Sequence, residues 1–361
     1  MHVTLVSGID PSVPAAGGTR SYVLELAKRL PEHDVSVSLV SRGTGRISLP
    51  GVDIMPISSR PGSAAFLAKL LASAPGLPIP PRSIVHAQRP DDLAAFVLAK
   101  RGNPTVCTLH GIPALAVPRR KGKVVGVGYR MLETVGLRRA DRIIAVTQGV
   151  AEWYSRHRPS TAARTVVIPI GVDTTGFRPQ DRETARKRFG VRARYACLYA
   201  GRLSPEKRID VLVRAARDLR DAEIIVAGTG PAGPPLKDMA RGVPVRFLGA
   251  VSREDMPLLI NAADVVVLPS EYEGLPTLAL EALACGKPVV ATPVGAIPDL
   301  VVEGKTGWLL LDVGELARVL NRALPQAEDL KEACLVAIRE YAWDAVIERI
   351  LRVYRELLDA T

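Results

Sequence analysis

Short apolar runs alternate with helical spacing along the whole chain. In the first half, His2–Ser7, Val35–Val40, Asp53–Pro56, Ile84–Ala87, Thr105–Leu109, Ile143–Val146 and Val166–Ile168 read as strands. Between the first two, Val23, Leu26, Ala27 and Leu30 recur at the spacing of one helix face. The second half restarts the pattern with YACLYAGR, AEIIVAG, PVRFLG, DVVVLPS, KPVVAT and GWLLL. Strands this short and this apolar, separated by helices, mean parallel sheets covered on both faces. Two such sets, joined near Gly171–Gln180, predict an α/β protein of two doubly wound, Rossmann-like domains with a cleft between them. Sheets of this kind bind their ligands beyond the carboxyl ends of the strands.

Four strand ends carry unusual residues. The first strand runs into a long loop closed by Gly17 and Gly18, immediately before a helix. Glycines there let backbone approach a ligand and a helix N-terminus favours phosphate, although an ordinary flexible loop looks the same. TVCTLHG ends in His110, placed either for a cleft or as a structural cap; His2, His33, His86 and His157 read as structural or surface residues. CLYAGRLSPEKR delivers Arg202 and Lys207, two cations that suit a diphosphate or, beside Glu206, a solvated basic turn. DVVVLPS leads to Glu273 and then to a helix over Pro276–Cys285, with Pro276 in the first helical position and Gly286 past the end. Free amides of Gly274, Leu275 and Thr277 surround its start. This helix is apolar on almost every side, yet it carries Glu281. A buried carboxylate needs a partner. Sugar hydroxyls would serve, and so would a neighbouring cation such as Lys287.

Composition narrows the field. With 361 residues the chain is long enough for two cores. It has no apolar run of about 18 residues, so no spanning helix is expected, and MHVTLVSGID reads as a strand rather than a signal peptide. Cys107, Cys197, Cys285 and Cys334 lie far apart and suit reduced thiols in a cytosolic protein. Residues 1–180 hold 23 Lys and Arg against 11 Asp and Glu, whereas residues 181–361 hold 25 against 26. The whole positive excess is in the first half, which suggests that one domain meets something anionic. Gly228, Gly230 and Gly233 fall in the G-x-G-x-x-G spacing of a dinucleotide site and raise the rival reading of an NAD-dependent dehydrogenase. Context speaks against it: the motif follows the second strand of its set, Pro231, Pro234 and Pro235 crowd the turn, and no acid closes the next strand.

The ordered set of motifs resembles the retaining nucleotide-sugar glycosyltransferases of family 4, which have the GT-B fold. It runs from the GG loop through HG at 110–111, ADRIIAVT at 140–147, VIPIGVD at 167–173, YAGRLSPEK at 199–207, VAGTGP at 226–231 and FLGAV at 247–251. It continues with Glu273 and Glu281 in an E-x7-E element and ends with YAWDAVIERILRVYREL. The resemblance implies an acceptor-binding domain over 1–175, a nucleotide-sugar-binding domain over 176–342, and a terminal helix over 343–361 packing back on the first. It implies that Glu281 holds the ribose, that Glu273 contacts the donor sugar beside the amides of Gly274 and Leu275, and that Gly17 and Gly18 approach the phosphates. Arg202 and Lys207 would stabilise the departing diphosphate, and His110 would lie near the anomeric carbon. With these two cations in place no metal or other cofactor is expected. Ile170 and Arg208 depart from the Asn and Gly common at their positions in the family.

In this fold the acceptor belongs to the first domain. Its segment Pro118–Arg139 holds Arg119, Arg120, Lys121, Lys123, Arg130, Arg138 and Arg139 against Glu133 alone, interleaved with Val124, Val125, Met131, Leu132, Val135 and Leu137. Such a basic apolar element suits an anionic membrane surface, or else is a solvated face. Tyr129 is the segment's one stacking residue, so a nucleic-acid partner is not expected. The expectation is a cytoplasmic enzyme, peripheral on the inner face of the membrane, that moves a hexosyl group from a nucleotide sugar to a lipid-linked or glycan acceptor. A non-catalytic nucleotide-sugar-binding protein and an epimerase of the same fold are the alternatives.

Overall fold

The computed structural model describes residues 1–13, 18–43, 48–115, 117, 122–274 and 276–360. Among them the chain forms thirteen strands, one for each predicted run, with ends displaced by a residue or two. It divides into two compact units, residues 1–170 with 346–361, and residues 171–345.

The first unit is built on a seven-stranded parallel sheet. Its strands are β1 (His2–Val6), β2 (Ser36–Arg42), β3 (Val52–Ser58), β4 (Ile84–Ala87), β5 (Thr105–Leu109), β6 (Arg142–Ala145) and β7 (Thr165–Val167). Their order is β3-β2-β1-β4-β5-β6-β7. The chain thus winds outward from β1 in one direction, then returns to lay β4 on its other side. The register of β1 on β4 pairs Val3 with Ile84 and Val6 with Ala87. Val23, Leu26, Ala27 and Leu30 are fully buried, as their spacing predicts.

Residues 346–361, most of the helix Trp343–Asp359, complete this unit. Val346, Ile350 and Leu351 bury their side chains, and Tyr354 sets its hydroxyl 2.6 Å from Nδ1 of His86, which lies fully buried on β4. The other ring nitrogen of His86 is 2.7 Å from the Thr108 hydroxyl on β5. Burial pushes the His86 pKa down to about 3, so the imidazole is neutral and both nitrogens are engaged.

The second unit has a six-stranded parallel sheet. Its strands are β8 (Tyr195–Ala200), β9 (Ala222–Ala227), β10 (Val245–Gly249), β11 (Val265–Leu268), β12 (Val289–Ala291) and β13 (Gly307–Leu309), in the order β10-β9-β8-β11-β12-β13. The direction of winding reverses between β8 and β11, the place where such sheets open a crevice at the strand ends. The core is aliphatic, with Leu198, Ile224, Ile225, Val266, Val267, Val289 and Val290 inaccessible to solvent. Cys197, Cys285 and Cys334 are free thiols buried in it, and Cys107 is buried in the first unit.

The helix carrying Glu281 is shorter than expected, Thr277–Ala284. Pro276 is its N-cap, in an extended conformation, rather than its first helical residue.

Tyr354→Phe removes one partner of the buried His86. We expect a loss of about 1–3 kcal/mol in urea unfolding, the cost of leaving a buried polar atom unpaired.

Candidate functional site

At the reversal in the second sheet, the loop leaving β8 meets the loop leaving β11. The Lys207 ammonium donates to Oε1 of Glu273 at 2.7 Å, and the Ser270 hydroxyl donates to the same oxygen at 2.7 Å. The backbone ties the loops as well, the Glu271 amide donating to the Glu206 carbonyl at 2.9 Å. The loop after β12 closes on them: Thr292 donates through its hydroxyl to the Ser270 carbonyl, and the Ala296 amide to the Gly274 carbonyl at 2.9 Å. Gly295 sits at φ +59, where a Cβ would fall 2.2 Å from the Glu273 carbonyl oxygen. Three strand ends therefore fix the acid that the sequence singled out.

Arg208 gives the loop after β8 its bend. It adopts the left-handed conformation, φ 51, which explains why a glycine is at home there. Its guanidinium donates to Glu271 on the facing loop at 3.0 Å. Arg202, six residues earlier, is exposed and forms no ion pair among the described residues.

The G-x-G-x-x-G motif has a different use from the dinucleotide one. A Cβ on Gly228 (φ +128) would lie 1.8 Å from the Gly201 carbonyl oxygen, and one on Gly230 would lie 2.2 Å from that of Leu203. The Leu203 amide donates to the Thr229 carbonyl and the Ala232 amide to the Leu203 carbonyl. The glycines let the loop after β9 pack directly on the Arg202–Lys207 loop.

Glu281 is 4% exposed, and Arg253, not Lys287, is its partner. Arg253 leaves β10 in the segment VSREDM, donates through Nη1 to Oε1 of Glu281, and lays its guanidinium 4.5 Å from the centre of the buried Phe177 ring. Burial raises the Glu281 pKa and the adjoining guanidinium opposes the rise. Lys287 lies past the other end of the helix, where the acids acting on it are Asp264 and Glu328. Arg253 was legible by the strand-end rule, but a single cation beside Glu254 and Asp255 gave no reason to choose it.

In the first unit, Gly18 opens the helix Gly18–Arg29, exposed, with nothing within 4 Å of where a Cβ would be. His110 follows β5 and places Nε2 2.9 Å from Oε1 of Gln88, the residue after β4. The ring edge of Tyr22 packs on it with centroids 4.9 Å apart, and burial lowers its pKa to about 4. Gln88 was missed by the sequence reading, being neutral and outside any motif. Gly17, Leu275, Arg119, Arg120 and Lys121 lie outside the described residues. The basic helix is Lys123–Arg139, and of Lys123 only the backbone is described. Val124, Val125, Val127, Arg130 and Met131 are exposed on it, Val124 by 87% and Met131 by 67%. Leu137 is buried and Leu132 and Val135 are half-buried, so the apolar surface is confined to the first turns.

The family model "Glycosyltransferase Family 4" matches residues 16–175, and "Glycosyl transferases group 1" matches residues 194–326. The D-inositol 3-phosphate glycosyltransferase of Salinispora arenicola (strain CNS-205) is 32% identical, over 97% of this chain and 90% of its own length. Sucrose-phosphate synthase from Thermosynechococcus elongatus superposes with a TM-score of 0.83 at 24% identity, over 100% of both chains. Anabaena HepE in complex with UDP-glucose superposes with a TM-score of 0.77 at 22% identity, over 99% of this chain and 100% of that one. The fold is GT-B and the protein is a glycosyltransferase. The chain belongs to glycosyltransferase family 4.

Arg253→Ala strips the buried Glu281 of its cation and raises its pKa further. A folded-state carboxyl with a raised pKa holds protons that the unfolded chain releases, so stability falls as pH rises from the ordinary carboxylate value through the folded one. We expect thermal unfolding of Arg253→Ala to show a larger deficit against the parent near pH 8 than near pH 5.

Proposed function

We propose that this glycosyltransferase moves a hexosyl group, of mannosyl or glucosyl type, from a nucleoside diphosphate sugar to an acceptor hydroxyl with retention of configuration. The observation that carries the reading is the fixed Lys207–Glu273 pair at the reversal of the second sheet, with Arg202 on the same loop as Lys207. An ammonium has three N–H donors. Glu273 accepts one from Lys207, and the others serve a diphosphate. Charge that builds on the departing diphosphate is stabilised by Lys207 and Arg202, the electrostatic contribution that usually dominates such steps. The carboxylate of Glu273 faces the donor sugar, the amides of Gly274 and Thr277 lie beside it, and Glu281 accepts from the ribose hydroxyls. Gly18 approaches the phosphates, and His110 meets an outer hydroxyl of the sugar. With the two cations in this role the departing diphosphate deprotonates the acceptor on the same face, and no metal is required.

The acceptor we propose is lipid-linked or a glycan, taken up at the anionic inner face of the membrane. Val124, Val125, Val127 and Met131 exposed beside Arg130 support this, as does the positive excess of the first half. Among the described residues no helix is long and apolar enough to cross a membrane, and a surface contact needs none. A second reading is a small phosphorylated polyol, supported by the name of the Salinispora relative and by the same excess of charge.

Arg202→Ala and Lys207→Ala should each lower kcat about 10²–10³-fold with a nucleotide sugar that the parent turns over, the size of loss typical when one stabilising group is removed from a developing anion. Parent-like kcat in both would refute the assignment; an unchanged rate in EDTA is expected. Co-sedimentation with phosphatidylglycerol vesicles at low salt supports the membrane acceptor. Transfer to D-inositol 3-phosphate with no vesicle binding supports the polyol.

A further inference from the structure

The winding of the first sheet reverses between β1 and β4, so its crevice position is occupied by the residue that leaves β4, Gln88. Gln88 is only 1% exposed, and its amide N–H donates to the carbonyl of Val6 at the end of β1 at 3.0 Å, which fixes where the side chain starts. That side chain reaches His110 on the next strand end. The amide oxygen lies 2.9 Å from Nε2 of the imidazole. A carboxamide oxygen only accepts, so this contact requires the proton of the neutral ring to be on Nε2. Nδ1 is then a bare lone pair. Among the described residues neither Nδ1 of His110 nor the amide nitrogen of Gln88 has a hydrogen-bond partner, although both atoms are buried. Buried polar atoms are normally paired, and the exceptions call for an explanation. Here one is an acceptor and one a donor, and they lie on opposite sides of the ring, so a hydroxyl that meets Nδ1 pairs with the histidine alone.

We propose that Gln88 is a positioning residue for the transfer reaction: it locks His110 in the Nε2–H tautomer and so presents Nδ1 as an acceptor for a substrate hydroxyl. The inference rests on the reading that His110 meets the sugar, and it adds what His110 does there and what makes it do so. His110 acts as a neutral hydrogen-bond acceptor, neither an imidazolium nor a donor. The surroundings suit that state. The other ionisable groups set against the ring are Tyr22, from the helix Gly18–Arg29, and His86, from β4. Burial holds Tyr22 as the phenol and His86 as the neutral imidazole, and no carboxylate faces His110 among the described residues to charge it. A deoxy-sugar donor lacking the hydroxyl would leave Nδ1 unpaired, so the arrangement also discriminates between sugars.

The test is a long-range proton–nitrogen correlation spectrum of the full-length, ligand-free protein, labelled with nitrogen-15. The chain has five histidines, and His110 is assigned by the signal lost in His110→Asn. The expected result is a single tautomer at neutral pH, protonated on Nε2. Protonation on Nδ1 would overturn the proposal, because Gln88 would then be a donor to the ring and the free nitrogen a donor too. Gln88→Met keeps the volume and removes the amide; it should give a mixture of tautomers and a roughly tenfold lower kcat/KM, the scale of one hydrogen bond. Gln88→Glu sets a carboxylate against the ring and should raise the His110 pKa, moving the acid limb of kcat/KM upward by about one to three pH units. An unchanged tautomer in Gln88→Met together with an unshifted profile in Gln88→Glu would also overturn it. Should either variant fold poorly, the spectrum of the parent protein decides. Full transfer activity in His110→Ala would instead remove the reading on which the inference rests, and would leave the measured tautomer standing.

Discussion

Two charges 2.7 Å apart, on Lys207 and Glu273, tie together the strand ends at the reversal of the second sheet. Each leaves a different strand, and the strands are neighbours only because the sheet winds one way from β8 and the other way from β11. Everything close by serves to keep that meeting in place. Glycines at 228, 230 and 295 remove the side chains that would hold the loops apart, and Arg208 bends the chain so that Lys207 turns toward the acid. The pair is partly shielded from water, so attraction between its members is stronger than at a free surface, and its hydrogen bond is charge-assisted.

The two acids that the sequence singles out have opposite surroundings. Glu273 shares one oxygen between an ammonium and a hydroxyl at the mouth of the strand ends. Glu281 lies within the apolar body of its helix, reached by a single arginine that itself rests on an aromatic ring. Carboxylates in environments this different are held differently, the first by its contacts and the second by one cation against the cost of its burial. In the first unit the contrast is between two histidines. His86 has both nitrogens engaged and belongs to the core; His110 has one engaged, and its Nδ1 has no partner among the described residues.

Much of this was legible in the sequence, and the reasons differ from residue to residue. The strands were readable because both faces of each sheet are covered, which leaves unbroken apolar runs such as Val265–Leu268. Lys207 and Glu273 stood out as charges at strand ends, although nothing in their spacing says that they touch. Glu281 is conspicuous as an acid among leucines and alanines, but the cation that the sequence suggests for it, Lys287, is not the one it meets. Lys287 is near in sequence and carried by the helix to its far end, whereas Arg253 lies 28 residues earlier and arrives from another strand. The glycine motif after β9 was visible as a pattern and ambiguous in meaning, because only the position of Gly201 and Leu203 reveals what the glycines accommodate. Gln88 left no trace at all. A neutral amide has no charge, period or motif, and its importance comes from being the first residue past β4.

The contact between His86 and Tyr354 spans 268 residues of sequence. A nascent chain leaving the ribosome therefore makes the seven strands of its first sheet long before it makes the helix that covers the imidazole on β4. During that interval the early half is an incomplete body with an exposed apolar face, at the stage when an N-terminal domain would ordinarily already have closed. The segment 171–345 is in effect an insertion between the two parts of one folding unit, so maturation of the first half waits on synthesis of the whole second half. For any effort to produce the first half as an isolated fragment, the terminal helix belongs in the same piece.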